Sequence, residues 1–203
     1  MTTRFCAFLF LILAWTPVRA DAPSPKTVVE TFQASLIGVM KDAKSLGVKG
    51  RFAQLAPIID ATFHVPLMTQ IAAASHWGKA DADQRQTLIK AFKRMSVSTL
   101  ATLFDGYDGE RFDIKGETPG PQGTLLVKTL LVKKDRSTHD IAYVAKRIRE
   151  RWYIIDVIVD EGISELTVRR SEYRRILDGK GVPGLIDVLN AKADELLAQK
   201  SAK

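Results

Sequence analysis

Ile141-Ala-Tyr-Val-Ala-Lys-Arg-Ile148 and, soon after it, Trp152-Tyr-Ile-Ile-Asp-Val-Ile-Val159 decide the fold. Both runs are rich in β-branched and aromatic residues, and Glu150 with Arg151 is expected to make the tight turn between them. A third run, Thr124 to Lys133, joins the first through Asp135 to Asp140. Ahead of it, Arg111-Phe-Asp-Ile114 alternates before the strong turn Pro119-Gly-Pro-Gln-Gly123. Parallel neighbours need a crossover of a dozen or more residues, and spacings this short leave no room for one. Residues 110–160 therefore read as an antiparallel meander of about four strands. The last run is apolar on both alternating faces, which predicts a central strand covered on both sides.

Helical patterns flank this block. Val28, Val29, Phe32, Leu36 and Val39 recur at helical spacing, with Gly47 and Gly50 punctuating the end. Phe52, Leu55, Ile58 and Ile59 mark a second helix with Pro57 early in it, and Pro66, Leu67, Met68, Ile71 and Ala72 a short third. Asp81 is a plausible N-cap for a fourth, long helix carrying Leu88, Ile89, Phe92, Met95, Val97, Leu100 and Leu103. After the strands, Ser164 to Leu177 is closed by Gly179 and Gly181, and Pro183 to Leu197 follows. Helices, then strands, then helices is the order of an α+β domain with its helices segregated onto one antiparallel sheet.

The chain begins with Met1-Thr-Thr-Arg4, an apolar run from Phe5 to Trp15, and Thr16-Pro-Val-Arg-Ala20. A basic start, an apolar core and small residues at Val18 and Ala20 are the pattern of a cleaved secretory signal peptide over residues 1–20. The run falls short of the roughly 20 apolar residues of a membrane span; a retained anchor is the competing reading. Residues 21–203 then form one domain working outside the cytoplasm. Cys6 is the single cysteine and lies in the leader, so the mature chain has no disulfide, thiolate ligand or thiol nucleophile. Loss of Arg4 and Arg19 with the leader lowers the formal charge from +7 to +5. Basic clusters stand at Lys146-Arg147-Arg149-Arg151 and Arg169-Arg170-Arg174-Arg175. Without a nucleic-acid-binding motif they read as solvated faces, or as contacts to anionic headgroups or an acidic partner.

Catalytic signatures are missing. There is no nucleophile elbow, phosphate-binding loop, dinucleotide fingerprint or zinc-protease helix. His64, His76 and His139 fall on separate elements without metal-ligand spacing, so no metal or cofactor is expected. Asp156 and Asp160 share a strand face and could support acid–base chemistry; the alternative is a structural Asp156 paired with a base such as Arg170. What the chain does carry is an excess of periodic apolar surface. Phe63, Met68, Ile71, Trp77, Phe92, Met95, Leu100, Phe104 and Tyr107 on the helical side, with Tyr143, Ile155 and Val157 on the strands, either fill an ordinary core or line a pocket for an apolar ligand between helices and sheet.

Several segments, in this order and spacing, resemble a known family. They are Asp83-Gln-Arg-Gln-Thr-Leu-Ile-Lys-Ala-Phe92, Phe104-Asp-Gly-Tyr-Asp-Gly-Glu-Arg-Phe112, Trp152-Tyr-Ile-Ile-Asp-Val157, Gly162-Ile-Ser-Glu-Leu166, Arg169-Arg-Ser-Glu-Tyr173 and Gly181-Val-Pro-Gly-Leu-Ile186. Nearly the whole mature chain is similar to the MlaC-type periplasmic phospholipid-binding proteins, the toluene-tolerance family. The run from Gly162 to Tyr173 most resembles the hopanoid-biosynthesis-associated branch, HpnM, and His64-Val-Pro-Leu-Met68 departs from the pattern of the phospholipid-shuttle branch. The resemblance implies a monomeric, non-catalytic periplasmic carrier. It would hold the tails of a phospholipid or hopanoid-related lipid between helices and sheet, and shuttle it between an outer-membrane complex and an inner-membrane ABC transporter. A non-catalytic adaptor of a lipid-handling membrane complex and a lipid-modifying enzyme are the alternatives.

Overall fold

The computed structural model describes residues 22–160 and 162–198. The expected leader and the Lys-rich tail after Ala198 lie outside them. Five helices come first: α1 (Pro25–Lys41), α2 (Ala43–Thr62), α3 (Val65–Ala73), the single turn α4 (His76–Lys79) and α5 (Ala82–Leu103). The strands β1 (Arg111–Pro119), β2 (Thr124–Val132), β3 (Thr138–Ile148), β4 (Arg151–Val159) and the two-residue β5 (Ile163–Ser164) follow, and α6 (Glu165–Ala198) closes the chain. The sheet runs β1-β2-β3-β4-β5, every neighbour antiparallel. It is the expected α+β meander, with helices from both ends of the chain packed on it.

The local chemistry explains where the helices start. Ser24 caps α1 by accepting the Thr27 N–H at 3.1 Å, and Pro25 occupies the position where a missing N–H costs nothing. Asp81 caps α5 in a reciprocal box with Gln84, each side chain meeting the other's backbone N–H. Two long helices are each broken by a glycine in the left-handed region: Gly47 (φ 59°, ψ 177°) in α2 and Gly181 (φ 64°, ψ −167°) in α6. A Cβ is disfavoured at such angles, so these glycines make the bends. The two expected C-terminal helices are thus the halves of α6. Pro57 lies well inside α2 rather than early in a helix, and its ring removes the bond that would run to Ala53.

The sheet departs from expectation in three places. Strand β3 begins at Thr138, because Thr138 still pairs with Val132 beyond the apolar run. The β3–β4 turn is Arg149–Glu150 rather than Glu150–Arg151, with Arg149 at φ 54°. Strand β4 is not central: β5 pairs only with its last two residues, Ile158 and Val159. Further along its outer edge, Phe63 bridges to Ile154 and the His64 N–H donates to the Ile154 carbonyl at 2.9 Å. The chain leaving α2 therefore satisfies backbone groups that a fifth full strand would have used.

Helix α1 lies across β1 to β4 and supplies Val29, Phe32 and Leu36 to the core. A polar relay pins it there: Gln33 Nε2 donates to Thr129 Oγ1 at 3.2 Å, and Thr129 donates to the Ile141 carbonyl at 3.0 Å. The most deeply buried cation is Arg51, 1% exposed. Its Nε donates to the Ala101 carbonyl at 2.6 Å and its Nη1 to the Ala43 carbonyl at 2.8 Å. Ala101 lies in the last turn of α5, where carbonyls have no helical partner and the helix dipole is negative, so a guanidinium fits both needs.

Two expected outcomes follow from these contacts. Arg51→Met keeps volume but strands two carbonyls; with charged hydrogen bonds worth about 1.5–3 kcal/mol each, unfolding stability should fall by roughly 3 kcal/mol or more in a urea titration. His64 Nδ1 accepts the Leu67 N–H at 3.1 Å and caps α3, and burial holds its pKa below the ordinary 6.5. The unfolded chain therefore takes up a proton first. The stabilisation is complete above 6.5 and declines as pH falls from there through the lowered folded value. His64→Asn, which keeps an acceptor and does not titrate, should flatten the decline in melting temperature between about pH 7 and about pH 5.

Candidate functional site

A cavity of about 300 Å³ lies over the sheet, walled by α1, α2, α3, α5 and the start of α6. An apolar cavity of ~150 Å³ already stays dry and takes up a small hydrocarbon; small-molecule pockets begin at about 300 Å³. Its floor is hydrocarbon and aromatic. Phe32, Leu36, Ile59, Phe63, Phe92 and Tyr143 are all buried there. Phe32 stands edge-on to Phe63, with ring centroids 4.9 Å apart, and to Tyr143 at 6.0 Å, an arrangement that fixes the rings without closing the void. Burial pushes the Tyr143 hydroxyl up to about 12, the Gln33 side chain offsetting part of the effect, so the floor carries no charge at any physiological pH.

Periodicity explains which residues reach the cavity. On α5, Phe92, Ser96, Thr99, Leu100 and Leu103 fall at helical spacing along one stripe. On the sheet, Ile141 and Tyr143 alternate along β3, and their partners Val159 and Val157 alternate along β4. The rim is different in character. Ser96, Thr99, Glu165 and Arg169 are half-exposed, and Leu103 is 68% exposed. A greasy floor beneath a polar and charged rim is the polarity profile of an amphiphile.

Of the candidate residues, Phe63, Met68, Phe92, Leu100, Phe104, Tyr143 and Val157 are on the cavity wall, and five lie elsewhere. Met95 is buried in the core one position off the α5 stripe. Ile71 packs half-buried against the core from α3, and Trp77 lies on α4 with the Arg85 guanidinium over its ring at 5.5 Å. Tyr107, in the loop after α5, is 42% exposed beneath the Lys41 ammonium. Ile155 is the extra residue of a bulge: Val144 pairs with Asp156 and Ala145 with Ile154, which takes Ile155 out of the alternation that carries Val157 inward. The wall also includes polar residues that an apolar search passes over, Glu165, Arg169, Ser96 and Thr99, and apolar ones such as Phe32, Leu36, Ile59 and Ile141 that read as ordinary core; the α5 spacing alone finds Ser96 and Thr99.

The two aspartates are engaged in separate contacts. Asp156 accepts from Ser164 Oγ at 2.6 Å, the Leu166 N–H at 3.1 Å and its neighbour's Val157 N–H at 2.8 Å. Rather than pairing with Arg170, it caps the start of α6 and ties it to β4. Asp160 meets His139 at 3.2 Å and the Asp140 N–H at 3.2 Å, and Glu161 lies outside the described residues. A second hollow, about 190 Å³, is polar: it lies between the α3–α4 connection and α6, where His76 faces Asp178 at 3.3 Å beside Arg170 and Arg174. Among the described residues no group of three or more His, Cys, Asp or Glu is placed to hold a metal ion, and no helix is long and apolar enough to cross a membrane.

With this geometry established, comparison with known proteins is informative. The family model described as MlaC protein matches residues 30–191. A phospholipid-binding protein from Ralstonia solanacearum, solved in complex with a phospholipid, is similar in fold at a TM-score of 0.74 and 18% sequence identity. The match covers 87% of this chain and 99% of that one. No curated protein sequence matches significantly.

An unfilled cavity predicts an unusual mutational sign. Ser96→Leu places a side chain into empty apolar space and improves helix propensity. In the lipid-free protein it should raise unfolding stability by about 1 kcal/mol, measured by urea titration, where the same change in a filled core would lower it.

Proposed function

The chain belongs to the MlaC family, and on that premise we propose that it is a periplasmic carrier that encloses the acyl chains of a phospholipid. The observation that carries the reading is the cavity itself: buried aromatic and aliphatic side chains at its floor and the charged groups Glu165 and Arg169 at its rim. The phospholipid bound by the structurally similar Ralstonia protein supports the same reading.

The physical need for a carrier is large. A diacyl lipid has on the order of 30 methylenes, and at about 0.8 kcal/mol each its tails resist exposure to water by roughly 20 kcal/mol or more. Release into the aqueous phase is negligible, so loading and unloading occur in docked complexes. On this proposal the leader exports the chain and is removed, and residues 21–203 act as one monomeric binding unit. The docking partners are an outer-membrane complex and an inner-membrane ABC transporter. Exposed basic residues such as Arg170, Arg174 and Arg175 would steer that docking, which makes transfer sensitive to salt. The Gly162–Tyr173 segment favours a second cargo, a hopanoid-related lipid, in the same cavity.

Native extraction from the periplasm followed by lipid mass spectrometry tests the proposal. Phospholipid at up to one molecule per protein is the expected result, and a hopanoid-related lipid in its place selects the second cargo. Protein that is repeatedly recovered empty and cannot be loaded from vesicles overturns both. Ser96→Trp, which blocks the rim, should abolish co-purified lipid while the melting transition stays cooperative. Partner capture that persists in this lipid-free variant would favour a non-catalytic adaptor instead.

A further inference from the structure

The charges on the rim distinguish one class of headgroup. The cavity wall carries two charged side chains, Glu165 and Arg169, and they lie one turn apart on the first turns of α6. A Glu four residues before an Arg is the favourable order for an ion pair within a helix, yet among the described residues these two form none. Arg169 Nη1 instead donates to Glu172 at 3.2 Å, leaving most of its five donors uncommitted, and the Glu165 carboxylate has no hydrogen-bond partner among the described residues. Both side chains are half-buried, so a charge that met them would be poorly screened. Beside them the α5 stripe offers the hydroxyl of Ser96, while that of Thr99 donates to the Met95 carbonyl at 3.0 Å. The helix start adds a partial positive charge beneath the site, although Asp156 and Ser164 already engage the Leu166 and Thr167 N–H groups.

We propose that Glu165 and Arg169 form a headgroup site for a zwitterionic phospholipid bearing a primary ammonium, with the phosphate on Arg169 and the ammonium on Glu165. This inference rests on the carrier reading above. A guanidinium binds a phosphate through paired N–H donors. Two methylenes beyond the phosphate ester, a primary ammonium reaches about the separation of side chains one turn apart, ~5–6 Å. Phosphatidylethanolamine satisfies both groups. Phosphatidylglycerol offers Glu165 neutral hydroxyls and no cation, and phosphatidylcholine carries a cation with no N–H to donate. The carboxylate thus selects by an ion pair that phosphatidylglycerol cannot form.

The test uses the mature protein stripped of lipid. It is incubated with vesicles holding equal amounts of phosphatidylethanolamine, phosphatidylglycerol, phosphatidylcholine and diacylglycerol with identical acyl chains, re-isolated, and its lipid quantified by mass spectrometry. Wild type should load phosphatidylethanolamine about tenfold over phosphatidylglycerol. Glu165→Gln should bring that ratio close to one. Arg169→Gln should lower uptake of all three phospholipids about tenfold and leave diacylglycerol uptake unchanged, which also reports an intact fold and cavity. Arg169→Lys should recover part of the loss. Uptake of the three phospholipids in equal amounts, unaltered by Glu165→Gln, overturns the headgroup site and leaves the carrier reading standing. Failure to take up any of the four lipids, diacylglycerol included, overturns the carrier reading and this inference with it.

Discussion

A buried guanidinium bonded to backbone carbonyls of α2 and α5 fastens the frame around the cavity. Helices facing each other across a void forfeit the dispersion contacts that keep ordinary helices together, so the walls must be fastened at the perimeter. Arg51 does so between α2 and the last turn of α5 through the Ala43 and Ala101 carbonyls. The Gln33–Thr129–Ile141 relay fastens α1 to the sheet, and Asp156 fastens the start of α6 to β4. Each of these groups is polar, directional and largely satisfied, so together they set wall positions that apolar packing alone would let collapse.

The same logic accounts for the edge of the sheet. Strand β4 would present unpaired backbone groups beside the cavity were they not taken up by β5 at one end and by Phe63 and His64 at the other. That cover brings the Phe63 ring into the floor, and β5 delivers the chain directly into α6 with Glu165 and Arg169 on its first turns. Edge protection, floor and rim are thus built from the same short connections. A change in the His64 cap would be felt in the lining as well as in α3.

Much of the architecture was legible because it follows from spacing. Short gaps between β-rich runs permit only a meander, and Asp81 announces α5 from its position alone. The polar structure was not legible. The burial of Arg51 leaves no mark in the sequence, since nothing in its neighbours says that two carbonyls from elsewhere in the chain converge on it. Asp156 reads as a residue seeking a base, because its true partners, Ser164 and Leu166, become adjacent only when β5 turns back on β4. The bulge at Ile155 shifts the inward alternation by one residue, and no turn or glycine in the sequence marks it. For the cavity, an apolar search reaches Phe63, Phe92 and Tyr143 of the floor but leaves Phe32, Leu36 and Ile59 as ordinary helical core, and it passes over the polar rim, where the selectivity of a binding site for amphiphiles would reside.

The unfilled volume has a mechanical consequence. Internal volume that side chains leave open is lost when the chain unfolds, so hydrostatic compression favours the unfolded state by an amount that scales with that volume. A cavity of about 300 Å³ makes the vacant form compressible at its centre. An occupant that fills it becomes, in mechanical terms, the missing part of the core, and stiffness under load reports occupancy without any label.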